Sequence, residues 1–417
     1  MSDSSPLAAR LRHWGPRALL SLADQGLFSL TTFVVNVLLA RWLAPEAYGA
    51  FALAFAVFLF LGALHTALLT EPMLVLGAGR FREHFRSYLG FLLSGHLLVS
   101  LLGAALLTLA AWLLAQAGNA LLTNALYGVA IASPFILLPW LLRRAFYVEA
   151  RPTWAAVGSG LYLALSVLGL LWLRAANQLS PFSAYLVLGL AALLISLLLL
   201  AALKPQRNSK SKMAAMRAPQ WDYARWAAVS AVLIWVPLNI FYLAIPYASE
   251  LSAAGVLRAL SNTLTPLTQS VQALVVLLLP QLATLYQERG RATLHRRLRQ
   301  FSLAFLAASG LYWLLLAFFR TTIIEWLYAG QYAEYAALLP LAGLVPVVMG
   351  ASSLLGSGLR AMEMPERVVR AYVYGAAFAL TGGVYLTIAY GVGGAFAGQG
   401  LAYLVMALLL ARQLARA

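Results

Sequence analysis

Two carboxylates stand inside apolar chain. Asp24 comes seven residues after Arg17, and Glu71, within TEPM (70–73), comes nine before Arg80. At 1.5 Å per residue each lies about 10–14 Å along a helix from a basic anchor. An acid at that depth costs about 2.5–3.5 kcal/mol on insertion scales, so it usually faces a cavity or a partner. The chemistry open to Asp24 and Glu71 is therefore to carry a coupling proton or to hold a gate. The competing reading is a structural acid bonded to a neighbouring helix. His65, near Thr66 and Thr70, joins this candidate set, although a lone histidine is more often a packed and satisfied one.

A second set is cationic and amidic. Arg258 follows Glu250 by eight residues, about 12 Å in from a helix end. Arg258, Asn262, Thr265, Gln269 and Gln272 are spaced i, i+4, i+7, i+11 and i+14, which predicts one continuous face of a helix. Gln25, Ser29, Thr32 and Asn36 repeat the device near the N-terminus. Such stripes do not suit acyl chains, so both are candidate cavity walls for a polar or phosphate-bearing substrate. Helix–helix hydrogen bonding, and snorkelling of Arg258, are the alternatives. No catalytic residues, cofactor or metal are expected. There is no G-x-x-x-x-G-K-[ST] loop, no His/Asp/Glu cluster at ligand spacing and no cysteine.

The elements that must position these residues follow from composition. Of 417 residues 62% are hydrophobic and 10% charged, at a mean hydropathy of +0.82. A soluble exterior needs more charge than that, so lipid is the solvent for most of the chain. A spanning helix takes roughly 20 apolar residues. Twelve such segments are predicted, at about 17–41, 48–78, 87–116, 121–142, 153–174, 181–203, 224–246, 252–286, 299–320, 334–359, 368–390 and 393–411. The first is too long for a signal-peptide core and lacks a small-residue cleavage site, so it reads as a retained membrane helix.

With both termini cytoplasmic, all but four of the 29 Lys and Arg fall on the cytoplasmic side, Arg143 and Arg144 among them. The exceptions are Arg41, Arg174, Arg258 and Arg320. The net charge of +16 is thereby a topology signal with anionic lipid headgroups as its neighbours, and no nucleic-acid partner is expected. The basic stretch KPQRNSKSKMAAMRAPQ (204–220) divides six helices from six. The expected organisation is an N-terminal lobe (1–203), a cytoplasmic linker (204–221) and a C-terminal lobe (222–417). Gly49 pairs with Gly255, Pro72 with Pro280, and LRRAFYVEARP (142–152) with LRAMEMP (359–365), at offsets of about 206 to 216 residues, which reads as a parallel repeat. Kinks are expected at Pro72 and Pro280.

ARWLAPEAYGAFALA (40–54), LRRAFYVEARPTWAA (142–156) and EWLYAGQYAEYAALLPLAGL (325–344) resemble the Wzx-like polysaccharide flippases of the multidrug/oligosaccharidyl-lipid/polysaccharide exporter superfamily. The resemblance spans the chain. It implies an all-α polytopic membrane protein, with twelve transmembrane helices in two six-helix lobes around a central cavity. It also implies transport of a lipid-linked oligosaccharide, commonly on undecaprenyl pyrophosphate, across the bacterial cytoplasmic membrane. Membrane lipids and a polysaccharide polymerase or export machinery are the implied partners. Twelve spans rather than fourteen argue against a lipid II flippase of the MurJ type. A cation-coupled multidrug antiporter on the same fold is the alternative. A membrane glycosyltransferase or polymerase fits less well, because the outer connections are short, the longest being about 321–333.

Overall fold

The computed structural model describes the backbone of residues 6–416 and the side chains of 19–416 apart from Val276. Arg10, Arg12 and Arg17, counted above as a cytoplasmic cluster, therefore lie outside the described side chains. The described residues are helical, with no strand among them. The helices are α1 (Pro6–Trp42), α2 (Pro45–His65), α3 (Glu71–Leu76), α4 (Phe85–Gln116), α5 (Ala120–Val148), α6 (Pro152–Ala175) and α7 (Pro181–Leu203). There follow α8 (Lys210–Ala244), α9 (Ser252–Thr263), α10 (Thr265–Phe318), α11 (Arg320–Tyr328), α12 (Leu339–Ala361), α13 (Pro365–Phe378) and α14 (Val384–Arg416).

Ten stretches of the described residues are long and apolar enough to cross a membrane. Two of them run to 54 and 52 residues, and each turns at a glycine of positive φ, Gly290 (69°) or Gly391 (59°). Divided there, they restore the twelve spans expected from composition. This is a multi-pass membrane protein. On α4, Leu98, Leu101, Leu102, Leu106, Leu109 and Leu113 face outward, as leucines do when lipid is the solvent.

Helix ends carry readable local causes. Ser180 and Ser183 form a reciprocal capping box ahead of α7, with Pro181 in its first turn. The Asn119 side chain accepts from Leu122 N at the start of α5. Three turns with positive φ recur through the chain: Gly118 and Gly330, Ala150 and Glu363, Asn177 and Gly391. The members of each pair are about 213 residues apart, so the repeat in the sequence has a backbone counterpart. Ala150 and Glu363 each stand two residues before a proline that opens the next helix, Pro152 and Pro365.

The chain condenses into two compact units. The first holds the chain up to Leu38 together with Val57–Ala231, and the second holds Leu39–Ala56 with the chain from Val232 onward. Within the second unit Gly49 and Gly255, the pair matched in the sequence, touch each other. A Cβ on Gly49 would lie 2.0 Å from the Leu251 carbonyl oxygen, and one on Gly255 would lie 3.1 Å from Gly49 N. Small residues let two helix starts approach this closely.

Three local details add to these expectations. The second span passes through a π-helical turn over Thr66–Thr70, just upstream of Pro72, which sits in the first turn of α3. Helix α10 runs on through Pro280 and leaves helical geometry at Gly290. Finally, α8 is helical from Lys210, so non-helical connection is confined to about 204–209.

Candidate functional site

The first unit is organised around Asp24. Its carboxylate is fully buried and receives both arms of Arg143, Nε to Oδ1 at 2.8 Å and Nη2 to Oδ2 at 2.7 Å. Ser159 Oγ donates to Oδ1 at 2.5 Å, and the Tyr147 hydroxyl donates to Oδ2. The Arg143 guanidinium also lies 4.2 Å from the Phe28 ring centroid. Helices α1, α5 and α6 thus meet at one bidentate, charge-assisted pair with its remaining lone pairs occupied. Arg143, counted above on the cytoplasmic side, is the buried partner of Asp24. Helix α5 extends to Val148, so Arg143 is carried inside it and is 5% exposed. Next to it, Arg144 donates to Gln25 Oε1 at 3.3 Å.

The rest of the first stripe is partly self-satisfied. Asn36 Nδ2 donates to Thr32 O at 2.8 Å and Thr32 Oγ1 to Phe28 O at 3.5 Å, the backward bonding that such side chains make within helices. Asn36 is buried, and Ser29 and Thr32 are half-buried.

His65 is not a lone histidine. Its Nε2 lies 2.9 Å from Nδ1 of His96 on α4, and the two rings meet edge to face. One of these two ring nitrogens donates and the other accepts, according to the tautomers. His65 Nδ1 is buried without a partner among the described residues. The expected result of His96→Leu is a stability loss of about 1–3 kcal/mol, because the buried His65 Nε2 then loses its hydrogen-bond partner. Thermal unfolding of detergent-solubilised protein reads it, and an unchanged midpoint would contradict the pair's role.

Glu71 is exposed at the start of α3. Among the described residues it makes no hydrogen bond or ion pair, and nothing joins it to Asp24. The two acids grouped by depth in the sequence are therefore in different settings.

In the second unit the expected continuous stripe is broken. Pro266 has no N–H for the Asn262 carbonyl, and the chain turns at Leu264 (φ −86°, ψ −8°) between α9 and α10. Tyr312 Oη donates to Thr263 O at 2.7 Å at the break. Arg258 and Asn262 stay on α9, while Thr265, Gln269 and Gln272 belong to α10. Arg258 is half-buried, its guanidinium 4.4 Å from the Phe55 ring centroid. Tyr328 donates to Ala259 O at 2.8 Å and stands within hydrogen-bonding reach of Asn262. Thr265 and Gln269 are half-buried, and Gln272 is exposed on a cavity of about 330 Å³. Sequence reasoning missed Arg143, Tyr147, Ser159, His96 and Phe55. The i, i+4 spacing of Arg143 and Tyr147, carried on the end of the fifth helix, was the available signal. Among the described residues no group of three His, Cys, Asp or Glu is placed to hold a metal ion.

No family model matches the chain, and no curated protein matches it in sequence. Solved structures do. A multidrug resistance MATE family transporter of the MOP superfamily, in an inward-facing conformation, gives a TM-score of 0.76 at 13% identity over 95% of this chain and 98% of that one. The lipid II flippase MurJ, in an inward closed conformation, gives 0.75 at 15% over 95% and 87%. A MOP superfamily transporter from Pyrococcus furiosus gives 0.64 at 11% over 95% and 94%. The fold is that of the MOP superfamily transporters. At these identities the likeness is one of fold, and the chemistry must come from the chain's own residues. The MOP fold here carries a sealed acid–guanidinium pair in one unit and a broken, polar helix in the other.

Proposed function

We propose that this protein moves a lipid-linked oligosaccharide, carried on a pyrophosphate such as undecaprenyl pyrophosphate, across the bacterial cytoplasmic membrane by alternating access. Its product would feed a polysaccharide polymerase or export machinery, and both termini would be cytoplasmic. The observation that carries this reading is the charge balance inside the apolar stretches. Asp24, the one buried acid among the described residues, is spent on Arg143. Arg144 and Arg360 have amide or hydroxyl partners and no carboxylate among those residues. Surplus guanidinium favours an anionic head group. In this reading Arg258 and the two polar stripes engage the glycan or its phosphates, His65 and Glu71 serve coupling or gating, and Asp24 holds Arg143.

One observation favours a cation-coupled multidrug antiporter as the second reading: Glu71 is an acid left open to exchange a cation. Proteoliposomes loaded with a defined lipid-linked sugar, run beside a drug-efflux assay, separate the two. Arg258→Ala is expected to lower the initial translocation rate by about tenfold or more, with Arg258→Lys retaining most of it. Full-rate translocation by Arg258→Ala, or drug efflux without glycan movement, would overturn the reading.

A further inference from the structure

The second span has a weak point that another helix repairs. The residue four places after Leu68 is Pro72, which has no N–H to give to the Leu68 carbonyl. The helix widens there into the π-helical turn Thr66–Thr70, where Glu71 N donates back to Thr66 O. Gln220 of α8 supplies the missing donor, its Nε2 lying 2.5 Å from Leu68 O. The Tyr88 hydroxyl of α4 donates to Gln220 Oε1, which fixes the direction in which the amide points. Gln220 is buried, with both ends of its amide occupied.

The chain that leads to Gln220 is held as well. Gln206 N donates to Arg86 O at 3.0 Å, and Asn208 Nδ2 donates to Ser87 O at 2.6 Å. The Ser87 hydroxyl donates in turn to Asn208 Oδ1. Position 90 must be glycine, because a Cβ there would lie 1.9 Å from Gln206 O. The stretch read as a linker is thus strapped across the start of α4. All of these residues belong to the first unit, and α8 runs on past Ala231 into the second. We infer that Gln220 is a positioning residue, standing in for the N–H that Pro72 lacks and locking the π-helical turn to α8. The turn, with His65 at one end and Glu71 at the other, then rearranges only together with α8. The inference rests on the transport reading in one respect, the coupling or gating role given there to His65 and Glu71.

Hydrogen–deuterium exchange of the full-length protein in lipid nanodiscs tests the lock without any substrate. Gln220→Leu is expected to speed exchange of the 66–76 amides about tenfold, with α6 and α7 unchanged. Gln220→Glu, whose carboxylate still accepts from Tyr88 but has no donor for Leu68 O, is expected to do the same. Pro72→Ala gives the turn a backbone donor of its own. In that background Gln220→Leu is therefore expected to change the exchange by less than about twofold. A Gln220→Leu protein that exchanges like the natural one would overturn the lock, and so would an equal acceleration in the Pro72→Ala background. Should Gln220→Leu fail to fold alone, the comparison within the Pro72→Ala background still decides it. In proteoliposomes Gln220→Leu is expected to lower the maximal translocation rate about tenfold and to keep the half-saturating glycan concentration within about twofold. An unchanged rate, or a loss confined to affinity, would refute the positioning role. Failure of the natural protein to move glycan, with the exchange results as expected, refutes the transport reading alone.

Discussion

Asp24→Ala is expected to destabilise the protein by roughly 3–5 kcal/mol, while Asp24→Ala combined with Arg143→Met costs much less. The single change leaves the Arg143 guanidinium buried at 5% exposure without its counter-charge. The double change removes the charge as well and puts two apolar side chains beside Phe28 in place of an ion pair. A buried pair is costly to break and cheap to replace, because desolvation of the two ions has already consumed most of their attraction. Thermal or denaturant unfolding of the four proteins of the cycle gives the coupling directly. Additive costs would show that Asp24 and Arg143 do not act as a pair. Ser159→Ala, which removes a single hydrogen bond to Oδ1, is the smaller control.

Gly49→Ala is expected to cost at least about 2 kcal/mol, and Gly255→Ala clearly less, although the two glycines face each other. The asymmetry comes from what each new methyl meets. At Gly49 it lies 2.0 Å from the Leu251 oxygen and 2.6 Å from the Leu251 carbonyl carbon. Those are backbone atoms at the start of α9, and no side-chain rotation relieves them. At Gly255 the nearest atoms are at 3.1 Å, Gly49 N and Tyr48 Cδ1, and a shift of a few tenths of an ångström suffices. Melting of detergent-solubilised variants measures the order. A Gly255→Ala protein as unstable as Gly49→Ala would refute it.

Much of the architecture was legible because it rests on local properties. Span length, positive-inside charge and the paired motifs PEAYG and LSAAG need only neighbours in the chain, and the turns at Ala150 and Glu363 follow them. Pro266 was a readable signal for the break in α9–α10 that the side-chain periodicity of the stripe concealed. At Pro280 the helix continues, since a long apolar helix tolerates one missing hydrogen bond. The partner of Asp24 was hidden for a physical reason. An apolar run that stops at residue 142 satisfies the length of a span, and only packing shows the helix continuing to Val148.

Composition and spacing decide the solvent, the number of crossings, the twofold repeat and the lack of any cysteine thiol, because each is a sum over residues or a fixed interval along the chain. Tertiary structure decides which polar groups are satisfied. Asp24 finds Arg143 across 119 positions and His65 finds His96 across 31, while Glu71 finds no hydrogen-bond or ion-pair partner among the described residues. The net energy of a group buried in lipid or protein depends on its partner more than on its type. No local pattern encodes a partner contributed by another helix, so the difference between a sealed Asp24 and an open Glu71 emerges only when the helices are packed.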